Sequence, residues 1–246
     1  MAGERVPQAG RDYSAFRLLI GTPTSDGTVT VAYLHSLCNT LRLFQELRLG
    51  WQVLSSTGAA VDAARNGIVA QFMADPAFTH LLFIDEDHGW DAAHIIRLLA
   101  AGKDVIGIAA RRKSETRAWA VGFMPSAQPI EGGLLEVATV GSGFLLIRRQ
   151  AIERMFQAFP HLKITEPPTG VAPEMAPHYY ALFQHSIQEG RLFSEDLTFC
   201  ARWREIGGRI FIDPFLGISH IGTRDYAGAI AQDIVPAPAS PAGKAP

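Results

Sequence analysis

Apolar residues in this chain form short runs that alternate with segments of helical periodicity. In the first half, four such runs predict buried strands at 17–21, 51–54, 80–84 and 104–108. Between them, apolar residues recur every three to four positions, which predicts helices at 29–47, 60–74 and 92–101. Strands that alternate with helices are typical of parallel strands joined by right-handed crossovers. The first half therefore predicts an α/β domain with a mostly parallel central sheet flanked by helices.

The second half of the chain has a different pattern. Short apolar runs between glycine and proline turns predict strands at 119–123, 134–139, 144–147, 209–212 and 218–220. Helical periodicity predicts helices at 150–158 and 195–206. The segment 161–189 is irregular and has four prolines with aromatic residues between them. That composition fits a loop that covers a substrate, or a plain surface excursion.

The acidic triplet Asp85-Glu86-Asp87 directly follows the predicted strand at 80–84. Open α/β sheets bind ligands at the carboxyl ends of their strands, and carboxylate oxygens suit Mg²⁺ or Mn²⁺ that carries phosphates. Acidic residues after a strand can also cap the next helix, but Asp91 lies closer to the helix at 92–101 and is the better cap. The triplet alone leaves both interpretations open.

The pair Arg65-Asn66 lies early in the second predicted helix, one crossover before the triplet. Arg65 could reach a base, ribose or phosphate through its planar fork of donors. It could equally pair with Asp62 on the helix surface.

Glu195-Asp196 opens the last long helix, where acidic side chains are stabilised by the helix dipole. A carboxylate there could instead act as a general base. His220 follows the final predicted strand, and it is either a packed residue or a ligand that completes a Mn²⁺ shell. The turn 141–143 has glycines at both ends but precedes a strand, so it is no dinucleotide loop; its glycines allow close approach to a substrate or build a turn.

Composition narrows the class of protein. A chain of 246 residues with net charge −2 fits one large domain without a basic field for nucleic acid. Two cysteines require no disulfide framework, which favours the cytoplasm. Residues 1–14 are polar, and no stretch approaches the roughly 20 apolar residues of a membrane span. The tail at 235–246 is rich in proline and alanine and is predicted to be disordered.

Taken in order, these motifs resemble those of a glycosyltransferase of the GT-A fold, close to the inverting family 2 type. The resemblance covers 16–222 and rests on four stretches: 63–67 running into the acidic triplet, 98–113, 140–149, and 194–208. It implies a single GT-A domain with a nucleotide-sugar-binding half at 16–113 and an acceptor and catalytic half at 114–222. A flexible N-terminus at 1–15 and a largely disordered tail at 223–246 would flank that domain.

The resemblance also implies roles for individual residues. Asp196 would be the catalytic base with Glu195 beside it, and Asp85, Asp87 and His220 would hold Mn²⁺ or Mg²⁺. The nucleotide-diphosphate sugar would be bound by residues spread over four stretches: Thr22, Pro23, Arg65, Asn66, Asp85, Glu86 and Lys113.

The loop after the first strand departs from the family pattern, because Thr24-Ser25-Asp26-Gly27 follows Pro23 where an aromatic residue and asparagine are usual. Base recognition by that loop is therefore not carried over, nor is the acceptor, which could be a glycan, lipid, protein, small molecule or modified nucleobase. A retaining mechanism, a metal-dependent nucleotidyltransferase and a non-catalytic nucleotide-sugar-binding module are the alternatives. The oligomeric state is not indicated.

Overall fold

The computed structural model describes residues 12–57, 60–126 and 129–234. Most of the N-terminal segment predicted to be flexible, and the proline-rich tail at 235–246, lie outside these residues. The strands of the described chain are β1 (Arg17–Thr24), β2 (Gly50–Thr57), β3 (His80–Ile84), β4 (His88–Gly89), β5 (Val105–Gly107), β6 (Val121–Gly122), β7 (Leu135–Val137), β8 (Thr139–Val140), β9 (Phe144–Arg148), β10 (Ser186–Gln188), β11 (Arg191–Phe193), β12 (Ile210–Ile212) and β13 (Ser219–His220). Its α-helices are α1 (Val31–Glu46), α2 (Val61–Ala74), α3 (Ala92–Ala101), α4 (Arg149–Ala158), α5 (Glu195–Glu205) and α6 (Ala231–Ile234).

Seven strands form one central sheet in the order β2-β1-β3-β9-β5-β12-β7. β1 pairs in parallel with β2 and β3, and β5 pairs in parallel with β12. β9 and β7 run against their neighbours, so five of the seven strands share one direction. The predicted α/β class with a mostly parallel central sheet is confirmed. Strands from both halves of the chain contribute to this one sheet.

The antiparallel strand β9 lies between β3 and β5, which the helix–strand alternation of the first half does not predict. β9 starts opposite the end of β3, since Phe144 pairs with Ile84. Because β9 runs backwards, the residues just before it come to the same sheet edge as the residues just after β3. The backbone N–H of Asp85 accordingly donates to the carbonyl of Gly143 at 3.0 Å.

Helices cover both faces of the sheet, and β3 shows why. Its five residues are all buried, and alternate side chains point to opposite faces. Leu81 and Phe83 pack in a cluster with residues of α2, α4 and α5. Leu82 and Ile84 pack in a second cluster with residues of α1 and α3. A strand buried on both faces is almost entirely apolar, which is why 81–84, after the buried His80, reads as one continuous run.

Local signals account for the start and end of α3. The carboxylate of Asp91 accepts the N–H of Ala93 at 2.8 Å, and Gly102 ends the helix in the left-handed region with φ 63°. Asp91 is thus the cap predicted from the sequence. The carboxylates of the triplet Asp85-Glu86-Asp87 are not used to cap this helix.

Several predicted boundaries differ from the structure. The run 134–139 splits into β7 and β8, and the irregular segment 161–189 ends in the strand β10. Packing also extends past residue 222, where the sequence placed the domain end: Tyr226 and Ile230 are buried and α6 follows them. Tyr13, assigned to the N-terminal arm, is buried as well. Among the described residues, no helix is long and apolar enough to cross a membrane.

Candidate functional site

Asp87, His88 and His220 bring their side chains together at the carboxyl edge of the sheet. One ligand atom of each lies within 4.8 Å of the others, a spacing that can hold a metal ion. The antiparallel pair β4–β13 produces this arrangement, because His220 is the direct partner of His88. The two imidazole rings stack with centroids 4.5 Å apart and planes 17° from parallel.

The cluster contains buried polar atoms that no hydrogen bond satisfies. They are Oδ1 of Asp87 and both ring nitrogens of His88, a residue that is 1% exposed. Nδ1 of His88 lies 3.0 Å from that Oδ1, but off the direction of a hydrogen bond. Buried polar atoms without partners are costly and uncommon in native proteins. A carboxylate oxygen and imidazole nitrogens left open in this way fit a divalent transition-metal ion such as Mn²⁺.

Gly143 forms the wall of this cluster. A Cβ atom at Gly143 would lie 2.9 Å from Oδ2 of Asp85, 2.9 Å from Cε1 of His88 and 3.2 Å from Nε2 of His88. The absence of a side chain at this position therefore leaves open the space between the two groups. The close approach explains why glycine stands directly before β9.

Gly143→Ala is expected to destabilise the protein by about 1–3 kcal/mol, because the added methyl group overpacks the site. It should also weaken Mn²⁺ binding by at least about tenfold, the effect typical of displacing groups that orient metal ligands. Urea unfolding and Mn²⁺ titration measure the two effects. Gly67→Ala in α2 is the matched control, since the nearest atom to its added Cβ is 4.0 Å away. If Gly143→Ala and Gly67→Ala bound Mn²⁺ equally well, the placement of Gly143 against the metal site would be wrong.

Lys113 and His220 both neutralise Asp87. The Lys113 ammonium donates to Oδ2 of Asp87, and Nε2 of His220 lies 3.5 Å from the same oxygen. Burial raises the pKa of Asp87, but the neighbouring imidazoles of His220 and His88 and the Lys113 ammonium outweigh it and hold that pKa well below its usual range. Burial alone would lower the pKa of His220. The Asp87 carboxylate and the carbonyl of Arg111 outweigh burial and leave that pKa above its ordinary value.

Mn²⁺ affinity is expected to rise with pH until His220 is fully deprotonated and to level off above its folded pKa, which lies above the ordinary histidine value of about 6.5. Nδ1 of His220 lies 2.7 Å from the carbonyl oxygen of Arg111, so Nε2 is the nitrogen left for a metal, and it must first lose its proton. The stability of the metal-free protein should change with pH in the opposite sense. The raised pKa of His220 stabilises the fold fully below about 6.5, and this contribution is lost as the pH rises through the folded pKa.

Titration of Mn²⁺ at several pH values, with thermal unfolding in a chelator, checks both trends. His220→Asn should flatten both pH profiles. Unchanged profiles in that variant would remove His220 from the set of ligands.

Arg65 connects the acidic triplet to the start of α5. The Arg65 side chain is 4% exposed, and its guanidinium donates to Asp85 at 2.9 Å and lies 3.5 Å from Glu195. Burial would lower the pKa of Arg65, but the carboxylates of Asp85 and Glu195 keep it above its ordinary value. Arg65 therefore pairs with the predicted site carboxylates rather than with Asp62. Its Nε and Nη1 atoms are buried and make no hydrogen bond.

Asp196 lies on the other side of the turn that precedes β9. A Cβ atom at Gly141 would lie 3.6 Å from Oδ2 of Asp196, whereas one at Gly143 would contact Asp85 and His88. Oδ1 of Asp196 accepts hydrogen bonds from the hydroxyl of Ser194 and from the N–H of Leu197 at 2.7 Å. The turn 141–143 thus has the candidate metal-binding cluster at one end and the Asp196 carboxylate at the other.

Other predicted site residues are engaged in structural contacts. The Asn66 side chain bonds the backbone of Phe183 twice, at 2.7 and 2.9 Å, which ties the segment 161–189 to α2 rather than leaving a free amide. Thr22 is buried and hydrogen-bonded to the hydroxyl of Tyr33, and Pro23 is buried beside it in β1.

Glu86 has both a backbone contact and a perturbed carboxyl group. Its carbonyl accepts the N–H of Thr30 at the start of α1. Burial raises the pKa of the Glu86 carboxyl.

His88 was not singled out in the sequence, and the neighbours of Gly143 were not predicted. His88 directly follows the triplet, but only pairing with β13 places it beside His220. Gly143 was noted as a residue of close approach, yet its partners depend on the antiparallel placement of β9. Spacing from Asp87 could have drawn attention to His88, whereas no local signal identifies the neighbours of Gly143.

No protein-family model matches the chain, and no curated protein matches it in sequence. Among solved structures, A197 from STIV aligns with 84% of this chain and 86% of its own, at 19% identity and a TM-score of 0.51. A mutant Drosophila β1,4-galactosyltransferase 7, in complex with manganese, UDP-Gal and xylobiose, aligns with 87% and 71% at 14% identity and a TM-score of 0.46. A glycosyltransferase involved in glycosylation of the major capsid of PBCV-1 aligns with 58% and 66% at 9% identity and a TM-score of 0.35. The first similarity reflects a shared fold, and the other two are too distant to carry an argument.

Proposed function

We propose that this protein is a metal-dependent glycosyltransferase of the GT-A fold. It moves a sugar from a nucleotide-diphosphate sugar to an acceptor hydroxyl, with inversion at the anomeric carbon. The observation that carries this proposal is the turn 141–143, which separates an open cluster of metal ligands from a carboxylate suited to act as a base. A donor held at one end and an acceptor activated at the other would meet across this turn.

Asp87, His88 and His220 are the residues proposed to hold the metal, and their two imidazoles favour Mn²⁺ over Mg²⁺. The bound ion supplies Lewis acidity, which offsets the negative charge on the leaving diphosphate. Lys113 places a cation beside Asp87 and is proposed to pair with the phosphates of the donor. Asp85, oriented by Arg65, is proposed to contact the ribose or the metal. Among the residues predicted to bind the donor, these have the strongest geometric support.

Asp196 is proposed as the general base. Its Oδ1 is held by Ser194 and Leu197, which leaves Oδ2, on the side of Gly141, to accept a proton. The acceptor hydroxyl transfers that proton to Asp196 while its oxygen attacks the anomeric carbon from the face opposite the diphosphate. The bond to the diphosphate breaks, and the configuration at the anomeric carbon inverts.

A screen of UDP-, GDP-, CMP- and dTDP-sugars tests the function directly. Binding and slow hydrolysis of at least one donor are expected with Mn²⁺, weaker with Mg²⁺, and absent with a chelator. No binding of any donor would overturn the proposal. Nucleoside triphosphates belong in the same screen, because release of pyrophosphate would instead identify a nucleotidyltransferase. Donor binding without turnover on any acceptor would indicate a binding module.

A further inference from the structure

A β-hairpin projects from the chain directly before α5. It consists of β10 and β11, in which Gln188 pairs with Arg191, so the turn is the dipeptide Glu189-Gly190. Both turn residues have positive φ, 50° and 75°. This is the geometry of a two-residue turn of type I′, which matches the twist of the two strands and makes a well-defined hairpin.

The outer face of the hairpin carries an uncovered apolar pair. Ile187 and Leu192 are cross-strand partners, with relative exposures of 77% and 72%. They are the two most exposed large apolar residues in the described part of the chain. Single exposed apolar residues are ordinary on protein surfaces. Here, however, two of them are adjacent on one face, and pairing across the strands leaves most of each in water.

Leu192 of the apolar pair lies on the same side of the chain as Ser194, the residue that contacts Asp196, the proposed general base. Side chains alternate along an extended chain, so Leu192 and Ser194 point to the same side, about 7 Å apart. The Ser194 hydroxyl donates to Asp196. A hydrogen bond of 2.8 Å between the hydroxyls of Ser186 and Thr198 ties the base of the hairpin to α5. Ser186 points to the face opposite the apolar pair, so this bond fixes the hairpin against α5 and leaves the pair on the face that Leu192 shares with Ser194.

We propose that Ile187 and Leu192 form an acceptor subsite for an alkyl or aryl group attached next to the hydroxyl that receives the sugar. The inference rests on the proposed function, since it places that hydroxyl at Asp196. An acceptor whose hydroxyl contacts Asp196 would extend past Ser194 onto the apolar pair. Covering both side chains removes apolar surface from water, which strengthens acceptor binding.

The size of the patch disfavours other occupants. Two side chains fall well short of the roughly 800 Å² per partner that a stable protein interface buries. The tip of the hairpin carries one anion, Glu189, and one cation, Arg191, so it has no net positive charge to attract an anionic membrane surface. A small apolar group needs no such area when the acceptor that carries it is already anchored through its hydroxyl.

The test compares octyl and methyl β-glucoside, at monomeric concentrations, on the Mn²⁺-loaded protein. Titration followed by ¹H–¹⁵N NMR should show the octyl compound binding about tenfold more tightly, which corresponds to ~1.4 kcal/mol. Shift changes should concentrate at 186–196. Ile187→Thr with Leu192→Thr keeps strand-forming residues and should abolish the preference. Trp51→Thr is the matched control, since Trp51 is an exposed apolar residue in β2, an end strand of the central sheet that does not belong to the hairpin.

Three outcomes would overturn the subsite. The first is equal affinity for the two glucosides, and the second is a preference for the octyl compound that persists in the double variant. The third is a double variant that loses self-association or vesicle binding while its affinity for the glucosides is unchanged. The donor screen separates this inference from the proposed function. A donor that binds while no octyl preference exists overturns the subsite alone. Failure of every donor overturns the glycosyltransferase, and the acceptor role of the pair with it.

Discussion

Asp87→Asn is expected to lower Mn²⁺ affinity by more than about 100-fold, because partners that merely orient metal ligands already contribute ~10–100-fold. Asparagine keeps the shape of the side chain but removes the charge that faces Lys113 and His220. The cluster of residues 87, 88 and 220 then contains no anion of its own and keeps the neighbouring Lys113 cation, so it attracts a divalent ion far more weakly. Donor binding that depends on Mn²⁺ should disappear together with the metal.

Isothermal titration with Mn²⁺ measures this effect, and Asp104→Asn is the matched control. Asp104 lies before β5, at the sheet edge opposite the cluster, and its contacts with Arg148 and Arg154 are long, at 3.7 and 3.9 Å. The control should bind Mn²⁺ like the natural protein. If Asp87→Asn kept its Mn²⁺ affinity, the metal site would have to lie elsewhere.

The same variant should also lose stability without metal. The lowered pKa of Asp87 means that its carboxylate stabilises the fold above the unfolded pKa of about 3.9, and that this contribution is lost as the pH falls through the folded pKa. The difference between the natural protein and Asp87→Asn should therefore be fully present at neutral pH and shrink only in strong acid. Urea unfolding in a chelator at several pH values tests the sign.

Asp196→Asn is expected to reduce sugar transfer by about 10²–10⁴-fold, the usual contribution of a general base. Donor and Mn²⁺ binding should stay at natural levels, because the contacts of Asp196 are with Ser194 and Leu197 and not with the metal cluster. The carbonyl oxygen of asparagine can accept the same two hydrogen bonds, so the start of α5 should remain folded. What the variant lacks is an anionic oxygen that can take the acceptor proton.

Single-turnover transfer rates and donor titrations measure the two sides of this prediction. Glu205→Gln, an exposed carboxylate at the other end of α5, should transfer at the natural rate. Natural transfer rates in Asp196→Asn would remove the base from the proposal. The anomeric configuration of the product decides independently between inversion and retention.

The most local parts of the fold were predictable from sequence. The strand at 80–84 and the helix at 92–101 match β3 and α3 residue for residue, since continuous burial, an aspartate cap and a terminal glycine all act within a few residues. Predicted boundaries were less accurate where a segment pairs with strands that are distant in the sequence. The run 134–139 splits because β7 pairs with β12, whereas β8 pairs with β6.

The candidate site divides in the same way. Position after a buried strand identified Asp85 and Asp87, and position at a helix start identified Glu195 and Asp196. Asn66 has the right place in sequence, yet Phe183 takes up its amide through contacts 117 residues away. No local pattern predicts that the Asn66 amide binds the backbone of Phe183 instead of a ligand.

Which carboxylates end strands and start helices could be predicted from the sequence, because those positions follow from periodicity and capping within a few residues. Which of them lie close together depends on the tertiary fold. The reversed strand β9 brings Gly143 to Asp85 and Gly141 to Asp196, and the pairing of β4 with β13 stacks His88 on His220. Such contacts join residues far apart in the chain, so their energies depend on the packing of the whole sheet and leave no mark in any short stretch of sequence.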